Sequence, residues 1–302
     1  MGKRRKLSDL TDQETATVVN LLKRFQLELD EDDEDGQEVV HALQTVVRKF
    51  SELKHVPFSD ATVLTLTQAN IKVEVLEWNS DGRSQAQHLG GKTAPNALSL
   101  DETTKQIGYI RKHIAFETEA GCRILINAVM LHAVTNLDTS ATGVAIAPEF
   151  RIPYTALDSG GSSYAGAVDY LMALGKPSVR DAIVLSPQLA FTDAKIHRLL
   201  TCSIYEAKPE KVLPALPQVV MEAVIQSQRF EFTTFRGCVT TGEEWLFFIY
   251  NKNQDGPGGS ASYLPPIRLE HDLSGLPLIL GLLYDWIENG QQKTLKLCKY
   301  PN

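Results

Sequence analysis

The chain has 302 residues, 43% of them hydrophobic and 22% charged, with a formal net charge of −7. This composition is ordinary for a soluble globular protein, and the length suffices for one large or two small cores. No apolar run approaches the roughly 20 residues that span a bilayer, and the negative balance argues against non-specific nucleic-acid binding through clustered cations.

The basic start, Lys3 to Lys6, is followed by no apolar segment, so it reads as a nuclear-localisation patch or a plain basic tip rather than a secretory leader. Thr11-Asp12-Gln13-Glu14 resembles a capping box, and Val18, Val19, Leu21, Leu22, Phe25 and Leu27 follow at helical spacing. The acidic run Asp30 to Asp35 and Gly36 interrupt this pattern. Val39, Val40, Leu43, Val46, Val47 and Phe50 then predict a second helix, giving a helical hairpin able to meet a protein partner. Residues 61–80 are rich in Val, Thr, Ile and Leu and predict one or two strands. Residues 79–101, with Gly82, Gly90, Gly91 and Pro95, read as a long loop. A division near residue 100 therefore separates an N-terminal mainly helical region, 1–100, from a main domain, 101–302.

The main domain opens on an almost wholly apolar helix from Phe116 to about Leu137, of the kind that is sandwiched against a sheet. A strand is predicted over Thr142–Tyr154, then a Gly-rich loop from Asp158 to Gly166, and a strand over Ala167–Leu174. A second long strand spans Leu200–Lys208, and a Pro-flanked helix runs from about Leu216 to Gln228. Residues 234–240 and 244–250 predict a hairpin about Thr241-Gly242, followed by a short strand near Tyr263–Leu269 and a helix over Leu276–Glu288. The order predicts a mixed α/β fold with a sheet flanked by helices. The four cysteines form no CxxC pair and read as reduced thiols. The seven histidines show no metal-ligand spacing; His132 on the apolar helix reads as a core residue. No P-loop, Rossmann, HExxH or GxSxG motif is present.

One constellation carries chemistry. Strand side chains repeat every two residues, so Glu206 and Lys208 share a face. Asp169 interrupts an apolar strand, and if the two strands pair it meets them. Two carboxylates close together in a partly dry place repel, and a hard divalent cation with oxygen ligands, Mg²⁺ or Mn²⁺, resolves the conflict. Such a cation would activate a water for attack on a phosphodiester, with Lys208 orienting the water or stabilising developing charge. Glu52-Leu-Lys54 and Asp193-Ala-Lys195 have the same triplet form, so it is the β-rich context and the upstream Asp169 that distinguish Glu206-Ala-Lys208.

Thr118-Glu-Ala120, Pro148-Glu149, Val168-Asp-Tyr170, Tyr205-Glu-Ala-Lys208, Gln218 and Arg236-Gly-Cys-Val-Thr-Thr-Gly-Glu-Glu-Trp245 occur in an order that resembles fungal PD-(D/E)XK nuclease-like proteins, including nuclease-like C-terminal regions of Crinkler-type effectors. The resemblance covers about residues 110–290. It implies a restriction-endonuclease-like mixed sheet and a metal-dependent nuclease acting on DNA or RNA; the reduced thiols and the basic patch predict an intracellular, nuclear or cytoplasmic setting, and the lack of a long apolar run predicts no membrane partner. The resemblance also implies a helix acid that completes the metal set of Asp169 and Glu206. Glu119 is the first choice for that acid, with Glu117 and Glu149 as alternatives, and Gln218 would stand close to the metal. Val168 replaces the nominal proline. The excursion between Asp169 and Glu206 is long for a hairpin and requires an insertion over 176–199, with a helix near 193–199. A nuclease-like fold kept as a non-catalytic protein- or nucleic-acid-binding scaffold is the alternative function.

Overall fold

A computed structural model describes residues 54–158, 162–193, 196 and 200–301. The expected helical hairpin, the acidic run and the basic patch lie outside these residues, as does most of the helix expected near 193–199.

Strand β1 (Lys54–Pro57) opens the described chain and leads through a 3₁₀ turn into α1 (Val63–Gln68), whose start is closed by a reciprocal Thr62–Thr65 capping box. β2 (Ile71–Val75) and β3 (Glu77–Trp78) follow. Residues expected to form a long loop instead contain α2 (Gly82–Gly90). Its glycines serve packing: a Cβ at Gly82 would stand 1.7 Å from the Leu297 carbonyl oxygen, and one at Gly90 would stand 1.9 Å from that of Pro277. Helix α3 (Leu100–His113), closed by a Ser99–Glu102 capping box, was not anticipated either. α4 (Glu119–Leu137) matches expectation. Among the described residues it is the one helix long and apolar enough to cross a membrane, yet half of it is buried within the fold.

Two 14-residue strands, β4 (Gly143–Ala156) and β5 (Ser162–Gly175), form a long hairpin. The expected insertion holds α5 (Pro177–Leu185) and α6 (Pro187–Ala190), each begun by a proline whose missing N–H is harmless there, and both pack on β4. Then come β6 (Thr201–Ala207), α7 (Leu216–Phe230), β7 (Thr234–Thr240), β8 (Glu244–Lys252), β9 (Gly259–Tyr263), β10 (Ile267–Arg268), α8 (Leu276–Glu288) and β11 (Cys298–Lys299). Gly242 turns the β7–β8 hairpin at φ +85°, a conformation glycine adopts freely.

The result is a mixed sheet ordered β1-β5-β6-β7-β8-β9-β2, with β4 on β5 and β10 on β8. β6 and β7 are parallel and are joined by α7, as parallel neighbours require. Helices lie on both faces. Apolar residues of α1, α5, α6 and α7 share one core with the sheet, and those of α2, α3, α4 and α8 share the other. The boundary expected near residue 100 does not divide this sheet. β1 pairs with β5 and β2 with β9, so residues 54–75 supply two strands to the layer built by residues 143–268.

One feature of the sheet positions the site. β4 covers one edge of β5 from Gly175 to Ser163. The other edge pairs with β6 over 170–174 and with β1 over 162–165. Residues 166–169 of β5 therefore face a gap between the ends of two neighbouring strands, and Asp169 stands at its inner end.

Candidate active site

Tyr170 pairs with Tyr205 as the last couple of the β5–β6 ladder. One step further on, Asp169 stands across from Glu206, and the strands exchange side-chain for backbone bonds. The Asp169 backbone N–H donates to Glu206 Oε2 at 3.3 Å, and the Ala207 N–H donates to Asp169 Oδ2 at 2.7 Å. The two-residue period puts Tyr205 and Ala207 in the core beneath α4 and α8, and Ile204 in the core beneath α7. Glu206 and Lys208 consequently turn toward α7. Lys208 Nζ donates to Glu206 Oε1 at 2.8 Å, and Gln218 Nε2, in the first turn of α7, donates to the same oxygen at 2.6 Å. Gln218 Nε2 also reaches Glu222 Oε1 at 2.9 Å.

On the other side Asp169 Oδ1 accepts from Arg123 Nη2 of α4. The same nitrogen donates to Glu119 Oε1 at 2.7 Å, and Nη1 donates to Glu149 Oε1 at 3.1 Å. Glu149 lies on β4 directly across from Asp169, in the left-handed region at φ +49°, between the couples Pro148–Tyr170 and Phe150–Val168. A non-glycine residue there carries backbone strain, and such strain gathers at functional positions.

Five carboxylates (Glu119, Glu149, Asp169, Glu206, Glu222) thus share two cations, Arg123 and Lys208. Asp169, Glu206 and Glu222 are buried. Burial first, and then the Asp169 charge, push Glu206 up to about 7. Glu222 is raised well above the usual carboxylate range, by burial first and by Glu206 second. For Lys208, burial works against the charged form, but attraction to Glu206 outweighs it and its ammonium is held above its ordinary value. The Arg123 guanidinium behaves likewise, burial being outweighed by Asp169 and Glu119.

Asp169, Glu206 and Lys208, singled out from strand context and period, and Gln218, implied by the resemblance, therefore form one connected network. Glu119 reaches it through Arg123. Glu117 is exposed and precedes the Thr118 cap of α4, outside the network. No three His, Cys, Asp or Glu side chains among the described residues are already gathered at metal-binding spacing. Sequence reasoning missed Arg123 and Glu222. Arg123 was legible only as an i,i+4 partner of Glu119; Glu222, one turn beyond Gln218 in an apolar helix, is a charged residue on a buried face.

The rest of the quoted segment 236–245 serves the fold. Arg236 is fully buried and bonded to Asp285 at 2.7 Å. Glu243 pairs with Arg111 at 2.5 Å, and the Trp245 indole donates to the Gly242 carbonyl at 2.8 Å. Trp245, Phe247, Phe248 and Tyr250 are core residues. His132 is buried on α4, with Nδ1 bonded to Thr103 at 2.7 Å, and burial lowers its pKa. The four cysteines are buried free thiols. Two surface clefts, of about 820 and 590 Å³, share Arg268, Glu270 and His271 and include none of the site residues.

No protein-family model matches the chain, and no curated protein matches it.

Proposed function

We propose that the protein is a divalent-cation-dependent phosphodiesterase of the restriction-endonuclease-like kind, hydrolysing DNA or RNA at the Asp169–Glu206–Lys208 centre. The observation that carries this reading is the meeting of Asp169 and Glu206 at the end of the β5–β6 ladder, with Lys208 bonded to Glu206.

The donor set fits Mg²⁺ or Mn²⁺. It consists of carboxylate oxygens, which hard cations prefer, and one positive nitrogen, Arg123 Nη2, is already shared by Asp169 Oδ1 and Glu119 Oε1. A cation would be held by Asp169 and Glu206, with Glu119 as the helix acid. When bound, it would polarise a phosphate oxygen and lower the pKa of a bound water. Asp169 and Glu206, on neighbouring strands, would be the residues that hold the cation. Lys208, whose ammonium charge is reinforced by Glu206, stabilises negative charge developing on the phosphate. Gln218 fixes the Glu206 carboxylate through Oε1. The gap beside residues 166–169 gives a phosphate access, since Gly166 and Ala167 are exposed there.

Cleavage assays on DNA and RNA with millimolar Mg²⁺ or Mn²⁺ test this reading. Asp169→Asn, Glu206→Gln and Lys208→Ala are each expected to lower the rate by about 10²-fold or more. Activity retained in any of the three would remove that residue from the proposed chemistry. A second reading, a nuclease-like scaffold without turnover, draws on Arg123, which already neutralises Asp169 and two neighbouring acids. It predicts no cleavage and no cation-dependent rise in Tm.

A further inference from the structure

Glu222 stands out among the buried groups. It lies wholly inside the protein on α7, a helix whose other inward positions are largely apolar. Its Oε1 shares the Gln218 amide with Glu206, so its carboxylate turns toward the centre. Its Oε2 has no hydrogen-bond partner. A buried acid with a free oxygen and no cation bonded to it is costly. Gln218 Nε2 lies 2.6 Å from Glu206 Oε1 and 2.9 Å from Glu222 Oε1, so one donor spans two carboxylates as a cation would.

We propose that Glu222 is a further ligand of the cation centre, binding a divalent cation through its free oxygen together with Glu206, with Gln218 as the group that holds the two carboxylates in register. This rests on the reading of the protein as a divalent-cation hydrolase. It differs from the expected helix acid, Glu119, which is half-exposed on α4 and already engaged by Arg123.

The test reads cation binding rather than turnover. Mn²⁺ and Mg²⁺ are titrated into the full chain by calorimetry and by thermal shift, for wild type, Asp169→Asn, Glu222→Gln and Glu222→Asp. Glu222→Gln is expected to raise the half-saturating Mn²⁺ concentration at least about tenfold, and Glu222→Asp to keep part of the binding. With a chelator present, Glu222→Gln should be as stable as wild type or more so, because it removes an acid that is costly to ionise inside the protein and keeps an oxygen for Gln218. If Glu222→Gln binds Mn²⁺ like wild type while Asp169→Asn does not, Glu222 is no ligand and the hydrolase reading survives. If wild type itself binds neither cation, both fall together.

Discussion

Among the described residues, Arg236 and Asp169 mark two places where charge is buried, and the two are built on opposite plans. At Arg236 one cation meets one anion, Asp285. Its nitrogens also donate to the carbonyls of Gln292 at 3.1 Å and Thr294 at 3.0 Å, and its guanidinium lies 4.9 Å from the centre of the Trp286 ring. Only Nε lacks a partner. This pair ties β7 to α8 and to the segment leading to β11, and its charges balance. At Asp169 five carboxylates share two cations, Glu206 is raised to about 7, and Glu222 keeps an unpartnered oxygen. Charge at Arg236 is closed with partners, whereas at Asp169 acid is left in excess over cation in a mostly dry place.

Removing one partner from the balanced pair should have the largest effect. Arg236→Ala leaves Asp285 buried and alone and is expected to destabilise the protein by about 3–5 kcal/mol. Urea denaturation measures this, and the loss should be the same with and without Mg²⁺. A loss below about 1 kcal/mol would undo the contrast.

Next comes pH dependence. Below Glu206's ordinary value near 4.5, folded and unfolded chains both carry its proton, and the group adds no slope. Between 4.5 and about 7 the folded protein keeps a proton that the unfolded chain has released, so stability falls as pH rises. Above 7 the full penalty, on the order of 3 kcal/mol, is present. Glu222 acts in the same direction. In chelator, Tm measured from pH 5 to 8 should fall less steeply for Glu206→Gln than for wild type; equal slopes would show that Glu206 does not carry the excess charge.

Arg123→Ala should be milder. It takes a hydrogen-bonded cation from Asp169, and a loss of about 1–2 kcal/mol is expected in chelator. The same variant should show a larger Tm rise with Mg²⁺ than wild type, since Asp169 and Glu119 lose their internal cation. The smallest effect belongs to Glu149. Glu149→Gly relieves a left-handed residue and gives up an exposed ion pair of little worth. A gain below about 1 kcal/mol in thermal unfolding is expected; a clear loss would mean that the pair with Arg123 outweighs the strain.

Helix α4, strands β4, β6, β7 and β8, and helices α7 and α8 were legible because each carries its own period, whereas α5, α6, the first residues of β5 and β9 fell in stretches read as loop or insertion. Alternation marked β6, and a 3.6-residue stripe marked α7 and α8. Helix α2 was hidden because Gly82, Gly90 and Gly91 read as chain breakers. In the structure Gly90 lets α2 approach α8, a reason that lies in another helix. The Ser99–Glu102 capping box was present in the sequence and announces α3, yet the Gly- and Pro-containing stretch before it drew the reading toward a loop. Within the site, Glu206 and Lys208 share a face by strand period alone. Arg123 and Glu222 were hidden because a charged residue in an apolar helix is informative only once its burial is known.

The sequence by itself determined the residue types at the centre, the faces they occupy on β6 and α7, and the mixed α/β order of the main domain, since these depend on local periodicity and capping. Only the tertiary structure decided that Asp169 stands across from Glu206, because α5 and α6 fill the chain between them and no local rule sets the register across such an excursion. It also decided that β1 and β2 join the sheet from the N-terminal side, and that Arg123 and Glu222 enter the charge cluster. Those outcomes depend on which surfaces pack against which, and on the cost of burying charge there.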